Sequence, residues 1–218
     1  MKTAYPTATD VEAFIEASGI TCTAAQTAFL DEAAARGQQV IEQRCGRVFL
    51  GSGNNSTRYF DPPTNRNGRL EIDDLASLNT VQYQPYGSTA ETLTLNTDFW
   101  TLPDNAAARS LPFTALQFRD RRWSGPITSS LRRSIIVSGQ WNYGTLAAGF
   151  PEAVWLAMIA AGLTDMWEIF AQSISGGMLS WREADVQEDW GVEPLKRLRD
   201  AWETRANTTI RLYRRLRI

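Results

Sequence analysis

The stretch QVIEQRCGRVFLGSGNNSTRYFD, residues 39–61, marks the point at which the chain changes from helix to strand. Up to Gly46, apolar residues recur at helical spacing, whereas residues 48–50 are branched or aromatic strand formers. Residues 51–55 are glycine, serine and asparagine, which predicts a turn, and residues 57–60 predict a second strand. The chain therefore passes from a helical N-terminal part into a β-rich middle.

Working outward from this stretch, the N-terminal part predicts two helices that need a partner surface. Residues 1–8 have the composition of a flexible arm. Thr9 with Glu12 has the spacing of a capping box, in which the hydroxyl caps the helix and the carboxylate reaches back. Gly37 lies inside the second helix and is expected to weaken it by about 1 kcal/mol relative to alanine.

The middle of the chain predicts a series of short strands separated by turn residues. Asn67-Gly68 is typical of a hairpin, because this pair tolerates positive φ. Many short strands with frequent turns predict a small sandwich or barrel. The predicted strands are residues 57–60, 69–72, 78–85, 92–95, 99–102, 115–119 and 134–143.

A proline-led helix is predicted after the β-rich middle, from Pro151 to about residue 173. It is apolar on most faces, so we expect it to be buried, with Trp155, Leu163 and Trp167 in the core. The predicted fold class is α+β: a helical bundle around this central buried helix, with an inserted small β sandwich or barrel-like module and an extended basic C-terminal tail. The predicted regions are N-terminal helices of the bundle (1–47), the β module (48–146), the central helix with an acidic segment (147–192) and the basic C-terminal helix or tail (193–218).

The composition argues against an enzyme. The chain has no histidine, which removes the usual general base and the commonest metal ligand. Asp73 and Asp74 are adjacent, and neighbouring side chains on a strand point to opposite faces, so a converging carboxylate pair is not expected. Cys22 and Cys45 are too few for a metal set or a disulfide framework. We therefore predict no catalytic residue, no metal and no cofactor.

Two arginine-rich segments are the candidate contact regions. The formal net charge is −2, so the whole chain is not a polyanion binder. Arginine favours bidentate pairing with carboxylates or phosphates, and interleaved apolar residues suit docking on a partner. One segment is a long predicted loop with Arg119, Arg121, Arg122, Trp123, Arg132 and Arg133. The other is the C-terminal stretch Ile210, Arg211, Leu212, Tyr213, Arg214, Arg215, Leu216, Arg217 and Ile218.

The order of several short motifs resembles the head–tail connector, or adaptor, proteins of tailed bacteriophages. In this family a helix ends in a Gly-Arg-x-Phe turn, followed by a Thr-Arg-Tyr-aromatic strand and a Leu-x-Leu-Asp-Asp-Leu segment. The motifs in this sequence are Gly46-Arg47-Val48-Phe49, TRYF at 57–60, LEIDDL at 70–75, TDFWTLP at 97–103 and SGQWNYG at 138–144, before the helix led by Pro151.

This resemblance implies a structural virion protein that forms a homo-oligomeric ring, commonly of twelve copies, between the phage portal protein and a downstream neck or tail-completion protein. Packaged DNA would pass through its channel without specific binding. Its expected location is the head–tail interface of the virion, after assembly in the host cytoplasm, with no membrane involved. We expect the C-terminal stretch to dock on the portal and the arginine-rich loop to contact a neighbouring subunit or tail protein.

The lining of a DNA channel is expected to be acidic or mixed, so that it does not grip DNA. Its candidate residues are Glu183, Asp185, Glu188 and Asp189. The alternative function is a nucleic-acid-binding module that uses the arginine-rich loop and the C-terminus. The net charge and the lack of a recognition motif argue against it. A hydrolase with paired carboxylates ranks last.

Overall fold

The chain is a mixed α/β protein that divides into two compact units in the computed structural model, residues 48–150 and residues 2–47 with 151–218. The structure describes residues 1–20, 29–64, 67–119, 128–145, 148–169, 181–183, 186–188 and 192–214, the side chains of 181–195 excepted. The prediction of a helical bundle around a central buried helix is wrong, because two antiparallel sheets build a core of their own. The apolar residues of 151–173 form one long continuous signal, which favoured a single central helix. The alternation that is typical of strands is divided among many short segments, each with a weak signal.

The β unit contains seven strands in two antiparallel sheets. The four-stranded sheet has the order β1-β7-β3-β4 and the three-stranded sheet has the order β2-β6-β5. The strands are β1 (Ser56–Phe60), β2 (Arg69–Leu75), β3 (Ser77–Tyr83), β4 (Glu91–Leu93), β5 (Phe99–Leu102), β6 (Phe113–Phe118) and β7 (Ile135–Gln140).

Both sheets contribute to one hydrophobic core in this unit. Alternate residues of β2 and β7 are buried, as expected for strands with one face covered. Burial of these side chains is the main stabilising contribution, at about 25 cal/mol for each Å² of apolar surface removed from water. The core side chains include Ile72, Leu75, Phe99 and Leu116 from one sheet and Val81, Ile135 and Val137 from the other.

The seven predicted strand positions are confirmed, but the predicted hairpin at Asn67-Gly68 is wrong. β1 pairs with β7 and β2 pairs with β6, so the two strands that flank this turn lie in different sheets. Gly68 does adopt positive φ, at 64°, as the pair of residues indicated. The prediction of positive φ at this turn is therefore confirmed, whereas the strands on either side of it pair with strands that are distant in sequence.

The N-terminal arm is anchored to the helical unit, contrary to the expectation of a flexible arm. Helix α1 (Ala8–Glu16) is capped by Thr7, because Asp10 Oδ2 accepts hydrogen bonds from Thr7 N (2.9 Å) and Thr7 Oγ1 (2.7 Å). The predicted Thr9–Glu12 box is therefore displaced by two residues. Ahead of the cap, the Lys2 ammonium lies 3.9 Å from the centre of the Trp155 ring and Tyr5 donates a 2.5 Å hydrogen bond to Glu42.

Two glycines allow helix α2 (Leu30–Cys45) and helix α3 (Glu152–Asp165) to approach closely. A Cβ at Gly37 would lie 1.9 Å from the carbonyl O of Met158. A Cβ at Gly162 would lie 1.9 Å from the carbonyl O of Ala33. The two backbones are therefore in direct contact at small residues, so Gly37 has a packing role that outweighs its cost in helix propensity.

Helix α3 ends at Asp165, and residues 167–169 are again helical after a turn at Met166. The last part of the predicted helix, residues 170–173, lies outside the described residues. Trp155 and Leu163 are buried as expected. Trp167 is half-buried and stands edge-on to Trp202 with ring centroids 6.1 Å apart. None of the helices in the described part of the chain combines the length and hydropathy required to cross a membrane.

Residues 193–218 were predicted as a basic helix or an extended tail, and the described part of this region is helix α4 (Val192–Tyr213), whereas residues 215–218 lie outside the described residues. The buried positions Trp202, Ala206 and Thr209 lie four and three residues apart, which is helical spacing. A short hairpin, β8 (Trp181–Glu183) with β9 (Val186–Glu188), precedes it.

Candidate functional site

Three of the sequence motifs meet at one cluster of side chains in the β unit. Arg58 on β1 forms an ion pair through Nη1 with Oδ2 of Asp73 on β2. The same guanidinium lies 4.5 Å from the centre of the Trp141 ring. The Trp141 indole N–H donates a 2.9 Å hydrogen bond to the backbone carbonyl of Ser56. The cluster thus ties β1 of one sheet to β2 of the other.

This cluster joins strands of the two sheets through an ion pair, a ring contact and a hydrogen bond. Asp73 is exposed and paired with Arg58, while Asp74 is buried, so the two carboxylates lie on opposite faces of β2 as predicted. A cation stacked on an indole contributes about 0.5–2 kcal/mol, depending on how far it is desolvated. In the part of the chain that the structure describes, no three Cys, Asp or Glu side chains are grouped to hold a metal ion.

A surface of two tyrosines and two arginines lies at one end of the four-stranded sheet. We call Tyr59, Tyr86, Arg132 and Arg133 the Tyr–Arg surface. Phe60 of β1 and Tyr83 of β3 both pair with Ile135, the first residue of β7. The three segments that carry the four residues therefore meet at this end of the sheet. All four residues are exposed, at 51% for Tyr59 and 88% for Tyr86.

Arg133 is held in an unusual conformation at the centre of this surface. Its φ is 55°, in the left-handed region, which costs a non-glycine residue about 1–2 kcal/mol. Its N–H donates a 2.7 Å hydrogen bond to Asp61 Oδ1, and its guanidinium lies 5.1 Å from the Tyr59 ring centre. Strained residues of this kind concentrate at functional sites, which makes Arg133 the most informative residue of the predicted contact loop.

Backbone hydrogen bonds connect the turn that carries Tyr86 to the segment that carries the arginines. The N–H of Gln84 donates to Ser134 O at 2.7 Å, and the N–H of Tyr86 donates to Ser130 O at 2.9 Å. Gly87 adopts φ of 79°, the value required at the third position of a type II turn. The exposed ring therefore stands on a turn that is tied to the arginine-bearing loop.

The remaining residues of the predicted contact loop are separate from this surface or outside the described residues. Arg119 is exposed at the end of β6, where its N–H donates a 2.9 Å hydrogen bond to Asp98 O. Arg121, Arg122 and Trp123 lie outside the described residues.

The predicted portal-docking stretch begins inside helix α4. Ile210 and Tyr213 are half-buried, while Arg211, Leu212 and Arg214 are exposed. Leu212 is 75% exposed, so an apolar side chain stands between two cations at the end of the helix. The rest of the stretch, Arg215, Leu216, Arg217 and Ile218, lies outside the described residues.

The predicted channel-lining residues fall on and around the β8–β9 hairpin. Glu183 is the last residue of β8 and pairs with Val186, and Glu188 is the last residue of β9 and pairs with Trp181. Asp185 and Asp189 lie outside the described residues.

Sequence reasoning did not single out Tyr59 and Tyr86. Tyr59 has the composition signal of a strand former, and the alternation of β1 leaves its side chain on the open face. Residues 85–87, Pro-Tyr-Gly, have the composition of a turn, and a large aromatic at its tip is the signal that could have marked a contact residue. Comparison of the chain with profiles of known protein families, with curated proteins and with solved structures found no match.

Proposed function

We propose that this chain is a structural virion protein, a head–tail adaptor that forms a ring between the portal and the neck or tail proteins and extends the DNA channel. The observation that carries the proposal is the contact of Arg58, Asp73 and Trp141. These residues belong to three of the motifs on which the resemblance depends. Motifs that pack on one another form one structural signature rather than several short coincidences.

Two exposed surfaces support the contacts that an adaptor needs. The Tyr–Arg surface suits a neighbouring subunit or a tail protein, because tyrosine and arginine are enriched in protein interfaces. The end of helix α4 suits the portal, since Leu212 offers an apolar anchor and Arg211 and Arg214 offer charge-assisted hydrogen bonds. A ring multiplies such weak single contacts, so that attachment by many subunits becomes effectively permanent.

The proposed ring has twelve copies and lets packaged DNA pass without specific binding. An acidic or mixed lumen repels the phosphate backbone and keeps DNA moving. The acidic residues of the hairpin region, Glu183, Asp185, Glu188 and Asp189, are the proposed lining. The proposed location is the head–tail interface of the virion, after assembly in the host cytoplasm.

Mass photometry and electron microscopy of the purified protein test this proposal directly. A twelve-membered ring of 24.4-kDa chains has a mass of about 290 kDa. We expect ring-shaped particles with a central channel, alone or on addition of portal-bearing capsids. A chain that stays monomeric in both conditions would refute the adaptor proposal.

A nucleic-acid-binding module is the second candidate, and the surface of helix α4 is the observation that favours it. Six cationic residues of this helix and the position after it are exposed: Lys196, Arg197, Arg199, Arg205, Arg211 and Arg214. Binding to random duplex DNA that weakens steeply with salt would support this candidate. Rings that show no affinity for duplex DNA would favour the adaptor.

A further inference from the structure

We infer that the Tyr–Arg surface is a docking site for an acidic segment of a protein partner, whose carboxylates pair with Arg132 and Arg133 while its apolar atoms pack on Tyr59 and Tyr86. That the partner is a virion protein rests on the proposed function. The chemistry by which the partner is recognised follows from the surface itself.

Both arginines have hydrogen-bond donors to offer. Neither Arg132 nor Arg133 forms an ion pair with another described residue of the chain. The contact of Arg133 with the Tyr59 ring uses the charge of the guanidinium and none of its five N–H donors. The carboxylate nearest in sequence to β1, Asp61, is engaged by the backbone N–H of Arg133. A free fork of donors matches the geometry of a carboxylate.

The surface is held in place before any partner arrives. The Asp61 hydrogen bond and the ring of Tyr59 restrain Arg133, and the two backbone bonds from Gln84 and Tyr86 restrain the neighbouring turn. A restrained surface loses less side-chain entropy on binding than a set of freely rotating arginines. The strained backbone of Arg133 thus belongs to a conformation in which its side chain is exposed.

Charge and composition favour a protein partner over nucleic acid. A nucleic-acid surface needs a broad basic field, because its affinity comes from neutralising several phosphates. This surface has two cations beside the carboxylate of Asp61, and the chain has a net charge of −2. Two exposed tyrosines offer packing area for apolar side chains, as in the centres of protein interfaces.

Binding of a labelled oligoglutamate peptide, measured by fluorescence anisotropy, tests the inference. Arg133→Gly is the most useful variant, because glycine accepts the positive φ and removes only the side chain. We expect Arg133→Gly and Arg132→Gln each to weaken binding about tenfold. Arg133→Lys should restore only part of the loss, since lysine keeps the charge but not the fork. Arg109→Gln, at an exposed arginine elsewhere in the β unit, is the matched control and should leave binding unchanged.

NMR chemical-shift changes on peptide addition provide the second readout. We expect them at residues 59–61, 84–88 and 128–134. The inference is overturned if Arg133→Gly and Arg132→Gln bind the peptide as the wild type does, or if the shifts map to helix α4. It is also overturned if duplex DNA binds more tightly than the peptide and depends on the same two arginines. If the protein is monomeric but still binds the peptide at this surface, only the proposed ring is refuted. If it forms a ring but Arg133→Gly leaves peptide binding unchanged, only the proposed docking site is refuted.

Discussion

Substitution of Gly37 by alanine should destabilise the helical unit, although alanine is the better helix former. Helix propensity alone predicts a gain of about 1 kcal/mol for this substitution. The added carbon, however, would lie 1.9 Å from the carbonyl O of Met158, whereas such a pair normally stays about 3.3 Å apart. Helices α2 and α3 would therefore have to separate locally by more than about 1 Å.

This separation costs more than the propensity returns. Overpacking of a well-packed core typically costs about 1–3 kcal/mol, and separation also loosens the contacts of the buried neighbours Ala33, Ala34 and Ile41. We expect a net loss of about 2 kcal/mol in the free energy of unfolding. With a urea dependence of about 1–3 kcal/mol per molar, the midpoint should fall by about 1 M.

Urea unfolding followed by circular dichroism at the helical band measures this effect in the helical unit. Gln39→Ala, at an exposed position of α2, is the control and should change the midpoint little. The double variant Gly37→Ala with Gly162→Ala should cost less than the two single losses combined, because one separation relieves both overlaps. A Gly37→Ala protein as stable as the wild type would refute the close backbone contact.

Three further predictions concern the β unit, the buried thiol and the end of helix α4. Trp141→Ala should lower the free energy of unfolding by about 3–5 kcal/mol, because the indole is buried. Asp73→Asn, at the exposed ion pair, should lower it by about 1 kcal/mol or less. Equal losses in urea unfolding would contradict this account. Burial raises the pKa of Cys45 from 9.0 to about 11, so the unfolded chain loses its thiol proton first and stability should fall as pH rises from 9.0 towards 11. Cys45→Ala should abolish that part of the pH dependence of the thermal midpoint, and an unchanged profile would argue against it. Leu212→Glu should leave thermal stability unchanged within about 0.5 kcal/mol but abolish co-sedimentation with portal-bearing capsids, and full retention of binding would remove the helix end from portal docking.

The sequence predicted the strands because their signal is local. Residues 69–73 of β2 alternate between exposed and buried, and the same alternation of polar and apolar residues is visible in the sequence over these five residues. Strand partners were not predictable in this way. The Asn67-Gly68 turn has hairpin chemistry, yet β1 and β2 find their partners in β7 and β6, much later in the chain.

The candidate site was predictable only in part, for the same physical reason. Its arginines stood out as a charged cluster, but the tyrosines joined them through pairing of β1, β3 and β7. The role of Gly37 was also only partly predictable. Its effect on helix propensity is local, whereas its role in packing depends on helix α3, which is distant in sequence. The sequence left a helix and an extended tail open for residues 193–218, because the interleaved arginines suit either, and the buried spacing of Trp202, Ala206 and Thr209 is helical.

The insertion of the β unit between the two parts of the helical unit has a consequence during synthesis. Helix α2 is synthesised before residues 48–150, and its packing partner α3 is synthesised only after them. At about 5–20 residues per second, the apolar stripe of α2 waits roughly 5–20 s for that partner. All seven strands of the β unit lie within the intervening segment, so this unit can fold while α2 still waits. The nascent chain therefore passes through a stage in which the apolar surface of its first helices has no partner within the chain, and a chaperone would bind there.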